Sequence, residues 1–210
     1  MIEDYSDMGA TTRQARDISR KSRSIISNLI GGSSFEDRIR QRCVMATGDP
    51  SVSELLRFNL NPVEAGLKAL INGETIYVDI KMVEAGVIKR GHQSIIKTFI
   101  GCGEDLAKAS GMTRTSAGVL ALQEELSSSI AIIGNAPSAL MSLCDLIESG
   151  RVIPSLVIGV PVGFVNAAES KDRLRDLAVP SITTRGTRGG TPMAVATINE
   201  IINIHVRTHH

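Results

Sequence analysis

The chain is 210 residues long, with 23 Lys and Arg against 22 Asp and Glu, no Trp, two Tyr and 3% aromatic residues overall. That length accommodates one domain with a sizeable core, residues 1–210, and the balanced charge offers no bulk field for nucleic acid or a membrane surface. So few aromatics exclude a base-stacking platform, and any anion recognition has to come from local clusters.

In chain order, residues 13–30 predict an N-terminal amphipathic helix. Ile18, Ile25, Ile26, Leu29 and Ile30 fall on one side, and Arg13, Arg16, Arg20, Lys21 and Arg23 crowd the rest; a solvated face accounts for that charge. Apolar runs at 42–46, 75–80, 94–100, 129–133, 155–160 and 181–184 predict strands. Several carry Val and Ile continuously, without in/out alternation, which suits strands covered on both faces. Helices are predicted at 61–70 with Pro62 in the first turn, at 118–126, at 136–149 and at 170–177. Asn166 and Ser170 are candidate caps for the last of these, whose Lys171, Asp172, Arg173 and Arg175 are expected mostly on exposed faces. The alternation predicts an open, doubly wound α/β fold: a mainly parallel, flavodoxin-like sheet of five or six strands with helices on both faces.

Ligands of such sheets bind beyond the carboxyl ends of the strands. The informative turns are expected there: Thr47-Gly48-Asp49-Pro50, Lys81 to Gly86, Gly134-Asn135-Ala136-Pro137, Asn166-Ala167, and Arg185 to Gly190. Arg185 and Arg188 put two permanent cations among glycines whose backbone can approach a ligand closely. Arg114 stands just before a helix start, where an anion meets both a guanidinium and free N–H groups. Asp79 and Glu84 flank Lys81 and could act as acid and base, although a local ion-pair network is the commoner explanation for such a trio. No P-loop and no Gly-x-Gly-x-x-Gly opens a helix after the first strand, which disfavours a nucleotide site. Cys43, Cys102 and Cys144 are far apart and without metal-ligand spacing, so reduced, mostly buried thiols are expected, and no metal. With no basic-then-apolar leader and no membrane-spanning run, the reading is a soluble, cytoplasmic protein.

Taken together, these segments resemble the precorrin-8X (cobalt-precorrin-8) methylmutase family of corrin-ring biosynthesis. The similarity rests on Ile18-Ser19-x-x-Ser22, Arg42-Cys43-Val44-Met45-Ala46-Thr47-Gly48-Asp49, Asp79-x-x-Met82-Val83-x-Ala85-Gly86, Thr113-Arg114 through Gly118, and Ile133 through Leu140. It extends through Gly159-Val160-Pro161-Val162-Gly163-Phe164-Val165 and Arg185-Gly186-Thr187-Arg188-Gly189-Gly190. The resemblance implies an isomerase that moves a methyl group from C-11 to C-12 of the macrocycle, giving hydrogenobyrinate or cobyrinate, with no cofactor. It also implies a homodimer that holds its corrinoid near the subunit interface. Ser22 and Arg42 match ligand-contacting positions, and Thr47, Asp49, Lys81, Arg114, Asn135, Asn166, Arg185 and Arg188 complete the expected substrate-binding set. The family's acid–base histidine position is Met45 here, and a thioether neither donates nor accepts a proton at neutral pH. Two readings follow: a mutase driven by geometry and carboxylate clamps, or a non-catalytic relative that binds a corrinoid. On a regular strand at 42–46, Cys43 would share the face of Met45, and Arg42 would point to the opposite face.

Overall fold

The computed structural model describes residues 10–209. It contains a six-stranded sheet in the order β1-β6-β5-β4-β2-β3. The strands are β1 Leu56–Asn59, β2 Ile76–Val78, β3 Ile96–Thr98, β4 Ile130–Ile133, β5 Leu156–Gly159 and β6 Ser181–Thr184. Every neighbouring pair from β3 to β6 is parallel, and only β1 runs antiparallel, on the edge beside β6. Five predicted strands are present, so the mainly parallel sheet is as expected, although β3 is shorter than its apolar run.

Nine α-helices among the described residues surround the sheet: α1 Arg13–Ile30, α2 Phe35–Thr47, α3 Pro62–Ile71, α4 Lys81–Gly86, α5 Glu104–Ser110, α6 Arg114–Ala121, α7 Pro137–Glu148, α8 Ala167–Asp176 and α9 Thr191–His209. Strand alternation distributes the core to both faces. Ile130 and Ile132 of β4 join a cluster with α2, α3, α4 and α9, while Ala131 and Ile133 join one with α6, α7 and α8. All four β4 side chains are buried, as in a sheet sandwiched between two helical layers.

The expected strand at 42–46 is instead the last turns of helix α2. Its start is fixed by a capping box, Ser34 Oγ accepting from the Asp37 amide while the Asp37 carboxylate accepts from the Ser34 amide. Its end is fixed by Gly48 in the left-handed conformation, φ 69°. Between these caps Ile39 and Cys43, four apart, face the core, so helical spacing outweighs the local β-branched content. The turn at 47–50 therefore follows a helix and not a strand. The 118–126 helix begins earlier, at Arg114, and the helix expected at 170–177 begins at Ala167. Lys171 of α8 is not on an exposed face but fully buried.

Buried Glu200 of α9 ties three helices together. Its Oε2 accepts from Arg23 of α1 at 2.9 Å, and its Oε1 accepts from Arg38 Nε and Nη2 of α2 at 3.0 and 2.9 Å. Removing the carboxylate takes a buried acceptor from two partly buried guanidinium groups. Glu200→Ala is expected to lower stability by about 2–4 kcal/mol, the arginines' partial exposure reducing the cost of a fully buried pair. Urea denaturation followed by circular dichroism measures the loss.

Candidate functional site

The sequence-predicted residues collect in three places. The first lies beyond the ends of β2 and β3, where a cleft of about 480 Å³ is lined by Ile80, Lys81, Met82, Ile100, Gly101, Glu104 and Arg114. Lys81 opens α4 and Arg114 opens α6, so two consecutive crossovers, β2 to β3 and β3 to β4, deliver one cation each to the same opening. Thr113 caps α6, accepting from the Ser116 amide, and its hydroxyl meets Ser138 of α7 at 2.8 Å. That contact ties the starts of α6 and α7 together beside the cleft. Glu104, from the first turn of α5, is a lining residue absent from the expected set.

The second place is a cleft of about 220 Å³ between α2 and α9, lined by Arg42, Met45, Ala46, Pro192, Val195, Ala196 and Asn199. Because 42–46 is helical, Arg42 and Met45 are i and i+3 and share a face, the reverse of the strand expectation. Cys43 turns the other way, into the core, where its Sγ meets Met193 O at 3.8 Å and Thr197 Oγ1 at 3.6 Å. Burial pushes its thiol up to about 12, so it stays protonated at neutral pH. Asn199 holds the wall in place: its Nδ2 donates to Gly86 O at 2.8 Å and its Oδ1 accepts from the Ile88 amide at 2.9 Å. Among the lining side chains only Arg42 carries a charge, and none titrates near neutrality.

The third place joins Asp49 to Arg188. The Arg188 Nη2 pairs with the Asp49 carboxylate, and its Nη1 donates to Ser51 Oγ at 2.9 Å. The hydroxyl and amide of Ser51, and then Arg188, hold the Asp49 carboxyl below its ordinary range. Thr47 uses its hydroxyl to bond Cys43 O at 2.9 Å at the end of α2. Asn135 and Asn166 are exposed on strand-end turns, Asn166 with φ 60°, and Arg185 is exposed after β6. Ser22 is half-buried on α1 and lines neither cleft.

Two buried ionisable groups shape these turns. Asp79, at the end of β2, accepts from the Asn135 and Ala136 amides at 2.6 and 2.9 Å, clamping the turn after β4. Burial raises its pKa, and the backbone donors partly oppose the rise. No ion pair joins Asp79 or Glu84 to Lys81 among the described residues, so the expected trio is not a network. Lys171 donates from Nζ to Thr184 Oγ1 at 3.1 Å and to Arg188 O at 2.9 Å, pinning both ends of the 184–188 turn. Gly189 completes the turn because a Cβ there would sit 2.2 Å from Val160 O.

No group of three or more His, Cys, Asp or Glu fit to hold a metal occurs among the described residues. No helix among them is long and apolar enough to cross a membrane.

The family model for precorrin-8X methylmutase (CbiC) matches residues 17–204. The chain belongs to the precorrin-8X methylmutase family. It is 39% identical over 206 residues to the cobalt-precorrin-8 methylmutase of Methanocaldococcus jannaschii, covering 93% of this chain and 96% of that one. Against the cobalt-precorrin-8 methylmutase of Methanothermobacter thermautotrophicus the identity is 40% over 200 residues, with the same coverage. The crystal structure of the precorrin-8X methylmutase from Thermus thermophilus superimposes with a TM-score of 0.85 at 34% identity, covering 92% of this chain and 97% of that one.

Burial, with the charge of Arg175 adding to it, lowers the Lys171 pKa from the ordinary 10.5 to about 8. Between those values the unfolded chain binds more protons than the folded one, so the contribution of Lys171 to stability rises with pH across that window. The rise is on the order of 1–3 kcal/mol. Lys171→Met is expected to abolish it, which urea titrations at pH 7.5 and pH 10.5 measure directly.

Proposed function

We propose that the chain is a precorrin-8X methylmutase of cobalamin biosynthesis, moving a methyl group from C-11 to C-12 of its substrate to give hydrogenobyrinate or its cobalt-bearing counterpart. The observation that carries this is the near full-length match to methylmutases, in sequence and in fold. The five parallel strands, taken alone, run in the order 2-1-3-4-5, which supports a flavodoxin-like reading with its ligand crevice at the strand ends.

The corrinoid substrate is broad, apolar across its ring and fringed with carboxylates. Lys81 and Arg114 supply charge-assisted donors for that fringe at one end of the sheet, and Asn135 and Asn166 supply neutral ones between. Clamping the rim restricts the ring to a geometry near that of the migration, so peripheral binding energy is spent on the reacting centre. Met45 contributes an apolar, polarisable wall beside Arg42 and does no proton transfer. The rearrangement is internal to the substrate, so the mutase uses no electron carrier or cofactor. The exposed Ile18, Ile25 and Leu29 on α1 support a homodimer with the site near the subunit interface. Three free cysteines agree with a cytoplasmic setting.

Purified protein mixed with precorrin-8X is expected to convert it, as followed by the absorption spectrum, and Met45→His is expected to accelerate conversion by about 10²-fold or more, the usual worth of a positioned acid–base group. Binding of the corrinoid without conversion, together with activity gained only in Met45→His, would show a corrinoid binder in place of a mutase.

A further inference from the structure

At the opposite edge of the sheet from Lys81 and Arg114, the antiparallel edge strand and α8 add Arg57 and Arg175, which no sequence motif singled out, to Arg185. Because β1 pairs with β6 in the register Leu56↔Thr184 and Arg57↔Thr183, the start of β1 lies beside the end of β6. Arg57 is therefore brought to the same rim as the 184–188 turn, and its Nη1 bonds only main-chain oxygens, those of Glu54 and Leu56, both at 2.8 Å. The Arg185 amide donates to Leu55 O at 2.9 Å, which fixes the turn to the strand, while its exposed side chain makes no hydrogen bond among the described residues. From α8, Arg175 donates to Thr183 Oγ1 at 3.1 Å and pairs with Asp172.

These cations press on one another. The charges of Arg57 and Arg185 both act on the half-buried Arg175 guanidinium, and Arg175 in turn acts on buried Lys171 one helical turn earlier. Asp172 and Asp176 of α8 offset part of this charge. The neighbouring Arg188 belongs to a different balance, being neutralised by Asp49. Like charges held together cost folding energy unless an anion joins them. Arg57 and Arg185 keep guanidinium edges that no carboxylate of the described residues occupies.

We infer that Arg57, Arg175 and Arg185 form a second carboxylate clamp, at the β1–β6 edge, for a rim carboxylate of the macrocycle. The inference rests on the methylmutase reading and adds to it which cations grip the far side of the substrate. Between β2, which leads to Lys81, and β6, which leads to Arg185, lie three strand spacings in the sheet order. At about 4.8 Å each, that separates the two clamps by about 14 Å, a distance that suits a wide polyacid gripped at two points on its rim. Two such points fix the rotation of a flat ring as well as its position, which one cluster cannot do.

The test is a titration of hydrogenobyrinate into wild type, Arg57→Gln, Arg185→Gln and the double variant, by absorbance or calorimetry at low and moderate salt, with melting temperatures as a folding control. Each single change is expected to weaken binding about tenfold, the usual worth of a charge-assisted contact, and to flatten the salt dependence while the melting temperature stays within a few degrees. Arg175→Lys, which keeps the charge but not the fork, is expected to recover less affinity than folding. A methyl-esterified corrinoid is expected to bind wild type and variants alike. Equal hydrogenobyrinate affinity across all four proteins overturns the clamp and leaves the methylmutase assignment standing. An equal effect of the variants on the esterified ligand also overturns it. Failure of the wild type to bind any corrinoid removes both the clamp and the reading it rests on.

Discussion

Burial of the central strands on both faces governs where this molecule can display chemistry. β2, β4, β5 and β6 expose no side chain to solvent, since helices lie against each face of the sheet. Polar function is thereby confined to the turns at the strand ends and to helices that reach past them. Lys81, Asn135, Asn166 and Arg185 all follow directly from that confinement. Met45 and Arg42 are the exception, since α2 brings them from outside the sheet to a separate cleft whose facing wall is α9.

The turns hold their shape through ionisable groups that solvent cannot reach. Asp79 gathers the amides after β4, Lys171 pins the turn after β6, and Glu200 binds α1 and α2 to α9. Each is costly alone and is offset by the hydrogen bonds it makes, although Asp79 bonds through Oδ2 and its buried Oδ1 has no partner among the described residues. The result is a rim on which exposed cations sit on restrained backbone, so that the proposed docking of a large ligand there would order little of the protein.

Much of this architecture was legible from the residues, and the failures have physical causes. Continuous Val and Ile runs marked the parallel strands, and Pro62 marked a helix start. Residues 42–46 misled because five residues cannot separate a strand from a helix turn; the Ser34–Asp37 box and Gly48 lie just outside that window. β1, with Arg57 and Asn59 among its four residues, carries no apolar signature because it is an edge strand. α9 is buried on nearly every side from Met193 to Val206, so it shows no amphipathic stripe. Arg185 and Arg188 look equivalent in the sequence, yet only the folded chain brings Asp49 against one and Arg57 near the other. The buried position of Lys171 was hidden by the charged residues around it, Asp172, Arg173 and Arg175.

The two outermost strands are short, four residues in β1 and three in β3. An intruding polypeptide therefore finds at either margin only a few unpaired main-chain rungs, and β1 adds the long charged side chain of Arg57 among them. Such margins give amyloid-like stacking little to template on, even though the strands between them are among the most apolar stretches of the chain.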